Sequence, residues 1–182
     1  PLNGVQETRC PVDATTGLIE CNWSVGYTLT TQDTWTSGIY LAVLKNAQGF
    51  YNYMTFTVRD DSRIAALMYQ QPVTTYQAYN DYPADNATGK SLYEINSFGP
   101  NTMAGTVRAV KVSFDRPYSE DGAGKLIWLS ELNTLRWLEK SGYDVTYSTN
   151  LDTHENGARL LSFRGFLSLP HDEYWSKQMY DA

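Results

Sequence analysis

Leu126-Ile-Trp-Leu-Ser-Glu-Leu-Asn-Thr-Leu-Arg-Trp-Leu-Glu-Lys-Ser-Gly142-Tyr-Asp-Val-Thr-Tyr-Ser148 holds two patterns in succession. Trp128, Leu132, Leu135 and Leu138 recur at helical spacing, which predicts an amphipathic helix from Leu126 to Ser141. Gly142 stands where a left-handed C-cap residue belongs, and Tyr143 to Ser148 then reads as a strand. Downstream the pattern predicts a short helical turn around Gly157 to Leu161 and a strand over Gly165 to Leu169. Upstream, the apolar runs Ile64 to Tyr69 and Val107 to Phe114 read as strands buried on both faces. Strand and helix in alternation specify a parallel α/β sheet with right-handed crossovers.

Before about Asp61 the period is two. Trp23, Val25, Tyr27 and Leu29 alternate with small and polar residues, which predicts a half-buried strand. Ile39 to Leu44 and Phe50 to Val58 follow, joined through the turn formers Asn46-Ala47-Gln48-Gly49. Three short strands with hairpin connections predict an antiparallel β-sandwich. Arg59-Asp60-Asp61-Ser62 is charged and turn-prone, which places a boundary between a partial β-sandwich at 1–60 and a partial α/β domain at 61–182. Pro1 at the start, and a helix opened by the cap Ser176 so near the last residue, read as a fragment of a longer protein.

The 182 residues carry 14 basic and 20 acidic side chains, a net charge of −6, with no basic cluster to neutralise a phosphate backbone. Nucleic acid is therefore not an expected partner. No apolar stretch reaches the length of a membrane span, and no signal peptide opens the chain. Fourteen Tyr and five Trp predict an aromatic core studded with hydrogen bonds. The two cysteines, Cys10 and Cys21, flank a turn-forming segment that could bring them together. A bridge would imply a secreted or periplasmic protein, and free thiols a cytoplasmic one.

Several familiar chemistries fail on their residues. Ala84-Asp-Asn-Ala-Thr-Gly-Lys-Ser91 misses a phosphate-binding loop by its first glycine and leaves no buried strand, so it reads as a solvated loop. Both cysteines precede Trp23, which leaves the α/β part without a Cys nucleophile, and no G-x-S-x-G elbow is present. With only two histidines and no H-E-x-x-H, a His-rich zinc site is excluded. What remains is Pro170-His-Asp-Glu-Tyr-Trp175, directly after a predicted strand, where open α/β sheets bind ligands. Residues two apart share a face in extended chain, so His171 and Glu173 can point into one pocket while Asp172 points away; the alternative is a helix-capping cluster on the surface. Thr75-Tyr-Gln-Ala-Tyr-Asn-Asp-Tyr82 and Ser91-Leu-Tyr93 follow another predicted strand end. Their phenols serve either as packing with satisfied hydroxyls or as hard oxygen ligands for a trivalent metal.

These segments, with Trp35 to Leu41, Phe56 to Asp61, Val112-Ser-Phe-Asp-Arg-Pro-Tyr118 and Trp137 to Val145, resemble in order the N,N-dimethylformamidase large-subunit-like family. The resemblance implies a β-sandwich followed by an amidotransferase-like, flavodoxin-like α/β domain, and an amide hydrolase with mononuclear iron held by two tyrosines and a glutamate. Carried onto this sequence, Glu173 is the carboxylate ligand, His171 the neighbouring base, Tyr93 one tyrosine ligand and Tyr79 the other, with Tyr76 competing for that last place. The family's namesake differs around the histidine motif and has a longer insertion between its two tyrosines. The implied partners are a small amide substrate and an accessory subunit or a second copy of the chain. The alternative is a non-catalytic secreted or surface binding protein that uses the same aromatic pocket.

Overall fold

The computed structural model describes residues 4–93, 95–97, 99–100, 107–119 and 127–182. They fall into two compact units: Pro1–Thr30 with Gln77–Ser119, and Thr31–Tyr76 with Glu120–Ala182. Antiparallel and parallel sheets with helices make the protein a mixed α/β structure.

In the second unit, β1 (Gly38–Lys45) and β2 (Tyr51–Val58) form an antiparallel hairpin in which Gly38 faces Val58 and Lys45 faces Tyr51. Trp35 stacks on Tyr40 at 5.2 Å, and Tyr40 on Phe56 at 5.7 Å, so one face of the hairpin is held by cross-strand aromatics. Next comes β3 (Leu67–Gln71), followed at once by α1 (Val73–Tyr79). A π-helical turn, Ile127–Glu131, runs into α2 (Leu132–Lys140), which leads to β6 (Val145–Thr149). Then follow α3 (Asn150–Glu155), a 3-10 turn at Gly157–Ser162, β7 (Gly165–Ser168) and α4 (Lys177–Asp181). The parallel sheet has the order β6-β3-β7, with β3 in the centre. Leu135 and Leu138 of α2 pack on Tyr69, Val145 and Tyr147 of that sheet, which is the apolar stripe read from the helical spacing. Leu126 and the side chain of Trp128 lie outside the described residues. Gly142 has φ +73°, the left-handed conformation that ends α2 without a Cβ penalty.

The hairpin is tied to this sheet by Ile39, which packs on its apolar core, and by polar contacts. Thr57 Oγ1 donates to Gln71 Oε1 at 2.5 Å, Gln71 Nε2 donates to Thr55 Oγ1 at 2.9 Å, and the Tyr147 amide donates to Ser37 Oγ at 3.1 Å. Arg59, Asp61, Asp152 and Arg159 form an ion network beside a cleft of about 600 Å³, joining the end of β2 to α3 and the 3-10 turn.

In the first unit, Cys10 and Cys21 are joined by a disulfide, and Val12 bridges Ile19 across the turn between them. Arg116 is buried and donates to the carbonyls of Gln77 at 3.1 Å and Asn80 at 3.0 Å, which closes the last turn of α1 with a cation. Burial pulls its guanidinium down to about 10. The near-P-loop is a loop, built on Asp85, whose Oδ1 accepts the amides of Ala87 at 3.0 Å and Thr88 at 2.8 Å. Gly89 is required there because a Cβ would come within 1.9 Å of the Asp81 carbonyl oxygen. The short strands β4 (Ile95–Asn96) and β5 (Gly99–Pro100) pair antiparallel.

Two expected strands are absent. Trp23 to Leu29 is irregular, with Val25 and Tyr27 exposed, and so is Val107 to Phe114, with Val107 and Val110 exposed. Alternation and apolar runs report a preference for a pleated surface, but a strand exists only where a neighbour accepts its ladder. Of the three antiparallel strands expected at the start of the chain, two are present among the described residues. The short helix α1 stands where the sequence reads only as a tyrosine-rich segment after a strand: the Pro72 carbonyl accepts the Tyr76 amide at 3.1 Å and opens it. The helix α3 is also unannounced by periodicity, although Thr149 and Asp152 make the reciprocal cap of a capping box.

Candidate functional site

Each unit holds expected site residues of its own. In the first unit, Tyr79 at the end of α1 lies against Tyr93, with ring centroids 4.3 Å apart and planes inclined by 37°. Backbone contacts fix the pair: the Leu92 amide donates to the Ala78 carbonyl at 2.9 Å, and the Tyr93 amide to Ser91 Oγ at 3.1 Å. Ser91 is itself held by Asn96 Oδ1, which accepts its amide at 3.1 Å. Tyr79 is half-buried, and Tyr93 is 36% exposed.

In the second unit, the segment after β7 turns sharply. His171 has φ +69°, a left-handed conformation costly for a residue with a Cβ, and it follows Pro170 as the second central residue of the turn. Asp172 is the anchor. Its Oδ2 accepts from Gln70 Nε2 at 2.7 Å and Ser168 Oγ at 2.9 Å, and its Oδ1 accepts from Trp175 Nε1 at 2.8 Å. Thr75 Oγ1 accepts the amides of Glu173 at 3.0 Å and Tyr174 at 3.2 Å, while Thr74 Oγ1 donates to the Tyr174 carbonyl at 2.6 Å. The motif is thereby bolted to the carboxyl ends of β3 and β7 and to the first turn of α1, the place where open α/β sheets carry ligands. Asp172 turns to the sheet ends, and His171 meets Ser130 of the π-helical turn, with Nδ1 3.1 Å from Oγ.

Behind this turn sits a buried carboxylate that the sequence does not single out. Glu131, 1% exposed, accepts a short hydrogen bond from Tyr69 at Oε2 and one of 2.5 Å from Tyr76 at Oε1. Burial pushes the Glu131 carboxyl up, opposed by these two hydrogen bonds. Burial, reinforced by the charge of Glu131, pushes both phenols far above the ordinary tyrosine value. Tyr69 and Tyr76 are thus protonated donors at neutral pH. In sequence, Ser130 and Glu131 only interrupt an apolar run, so nothing local distinguishes them from a solvated helix face.

Of the expected site residues, Tyr79 and Tyr93 are brought together within one unit, and His171 and Glu173 share one anchored turn within the other. Tyr76 is engaged by Glu131 instead. Among the described residues no three His, Cys, Asp or Glu side chains gather as a metal site. No helix among them is long and apolar enough to cross a membrane. Comparison with curated proteins finds none that matches. The model of the family described as N,N-dimethylformamidase beta subunit-like, C-terminal, matches residues 1–182, and the chain belongs to that family.

Proposed function

We propose that the chain is part of an amide hydrolase acting on small formamide-type substrates, with mononuclear iron held by Tyr79, Tyr93 and Glu173. The observation that carries this reading is the Tyr79–Tyr93 pair, two phenols side by side on a rigid backbone frame. Two phenolates and a carboxylate are hard oxygen donors of the kind that suits a trivalent ion. The engagement of Tyr76 by Glu131 favours Tyr79 as the second tyrosine ligand. When bound, iron would supply Lewis-acid polarisation of the amide carbonyl and a lowered pKa for the attacking water. His171 takes the proton shed by water as its oxygen forms the new C–O bond, then returns it to the amine nitrogen as the C–N bond breaks. Asp172 and Thr75 hold the turn that presents His171 and Glu173.

The order β6-β3-β7 matches the 2-1-3 opening of a flavodoxin-like sheet, which supports an amidotransferase-like α/β domain from about residue 61. We read the β1–β2 hairpin as belonging to a β-sandwich ahead of it. The family's description as a beta subunit supports an accessory subunit or a homo-oligomer as partner. The Cys10–Cys21 bridge supports a secreted or periplasmic location. It also favours a second reading, a secreted or surface binding protein without turnover that uses the same aromatic pocket to hold sugars or polymer.

Metal analysis and the visible spectrum of the full-length protein test the proposal. Stoichiometric iron with a ferric-phenolate band is expected, lost in Tyr79→Phe and Tyr93→Phe and kept in Tyr76→Phe. A colourless, iron-free full-length protein overturns it. Unchanged metal content and turnover in Tyr93→Phe, with weaker polysaccharide binding, selects the second reading.

A further inference from the structure

We propose that Ser130 is a positioning residue that fixes the tautomer of His171: the ring's Nδ1–H donates to Ser130 Oγ, which directs Nε2 to the reacting proton. The inference rests on the reading of His171 as the base of an amide hydrolase.

Three observations carry it. Ser130 Oγ lies 3.1 Å from His171 Nδ1, within hydrogen-bond range. Both ends of that contact are on rigid mounts. Next to Ser130, Glu131 is clamped by Tyr69 and Tyr76, which pins the π-helical turn. Next to His171, Asp172 is held by Gln70, Ser168 and Trp175, and the amides beyond it by Thr75. Finally, the left-handed backbone of His171 is a sparsely populated conformation, and such positions persist where surrounding contacts over-determine them.

The chemistry follows from what a hydroxyl can do. A neutral imidazole has one N–H, and the hydrogen bond at one nitrogen decides which lone pair is offered at the other. Serine's oxygen accepts from Nδ1–H both before and after Nε2 gains its proton, so the ring need not turn between the two proton transfers. Being uncharged, it orients the ring without adding a third carboxylate to Glu131 and Asp172, the acidic groups that face this region from the π-helical turn and from the motif itself.

The test is direct because the chain has two histidines, His154 and His171. Long-range proton–nitrogen correlation spectra of the full-length protein, labelled with 15N at histidine, with and without Ga(III) as a diamagnetic stand-in, report which ring nitrogen bears the proton. His154→Gln assigns the remaining signals. Nδ1 of His171 should show a protonated, pyrrole-like shift in the wild type and in Ser130→Thr, and an averaged shift in Ser130→Ala. In formamide hydrolysis, Ser130→Ala should lower kcat about fivefold, the worth of one neutral hydrogen bond, with KM unchanged. Ser130→Thr should restore it. A pyridine-like Nδ1 in the wild type, or a Ser130→Ala protein identical to wild type in both spectrum and kcat, overturns the inference. Full activity in His171→Gln would instead overturn the base assignment, a separate outcome that the spectra leave intact.

Discussion

Replacing Glu131 by leucine should cost the protein about 3 to 5 kcal/mol, and the reason can be isolated by experiment. The side chain is 1% exposed and accepts both the Tyr69 and the Tyr76 hydroxyl, each phenol itself fully buried. Glu131→Leu strands two hydroxyls away from water, and each such loss costs about 1 to 3 kcal/mol. Against a total stability of about 5 to 15 kcal/mol, that is a large fraction. The triple variant Glu131→Leu, Tyr69→Phe, Tyr76→Phe removes the stranded groups together with their acceptor, so it should recover about 2 kcal/mol relative to Glu131→Leu alone. Urea titrations monitored by tryptophan fluorescence at neutral pH give these differences through the midpoint. A triple variant no more stable than Glu131→Leu would refute the reasoning, because the penalty would then lie in packing rather than in unpaired hydroxyls. The same group predicts a pH dependence. Burial raises its carboxyl above the ordinary 4.5, so the folded state holds that proton more tightly than the unfolded chain. The stability it contributes is present below about 4.5 and is lost as pH rises through the raised value. Glu131→Gln abolishes this, so the stability difference between wild type and Glu131→Gln should shrink with rising pH over that window.

Three further outcomes follow from the same structure. His171→Gly should match or exceed the wild-type melting temperature while abolishing hydrolysis, because glycine relieves a left-handed backbone that costs about 1 to 2 kcal/mol; His171→Val should melt lower than either. Paired Cys10→Ser and Cys21→Ser substitutions should lower stability by about 3 kcal/mol, the loop-closure value for a bridge of this span, with wild type in reductant falling equally in calorimetry. Arg116→Met should destabilise by about 2 to 3 kcal/mol in urea by releasing the Gln77 and Asn80 carbonyls at the end of α1, and Arg116→Lys should not rescue it, since one ammonium cannot reproduce the fork of a guanidinium.

The amino-acid sequence alone determined those features whose information is local. The helix ending at Gly142, the strands at Val145–Thr149 and Gly165–Ser168, the hairpin of β1 and β2 and the cap at Ser176 are legible because periodicity, a left-handed glycine and turn residues act over a few positions. The His171 to Glu173 segment was legible as unusual chemistry after a strand, and the tyrosines as a cluster. Tertiary structure decided the rest, because it depends on which neighbour is present. Trp23 to Leu29 has the alternation of a strand and finds no ladder, while Val73–Tyr79 begins with β-branched residues and becomes a helix between the sheet end and the Arg116 cap. Glu131 lies 62 residues from Tyr69 and 55 from Tyr76 along the chain, and only folding makes the three one hydrogen-bonded group, whereas Tyr79 pairs with Tyr93. A side chain's type states what it can bond; burial, with the removal of water as the competing partner, decides what it must bond.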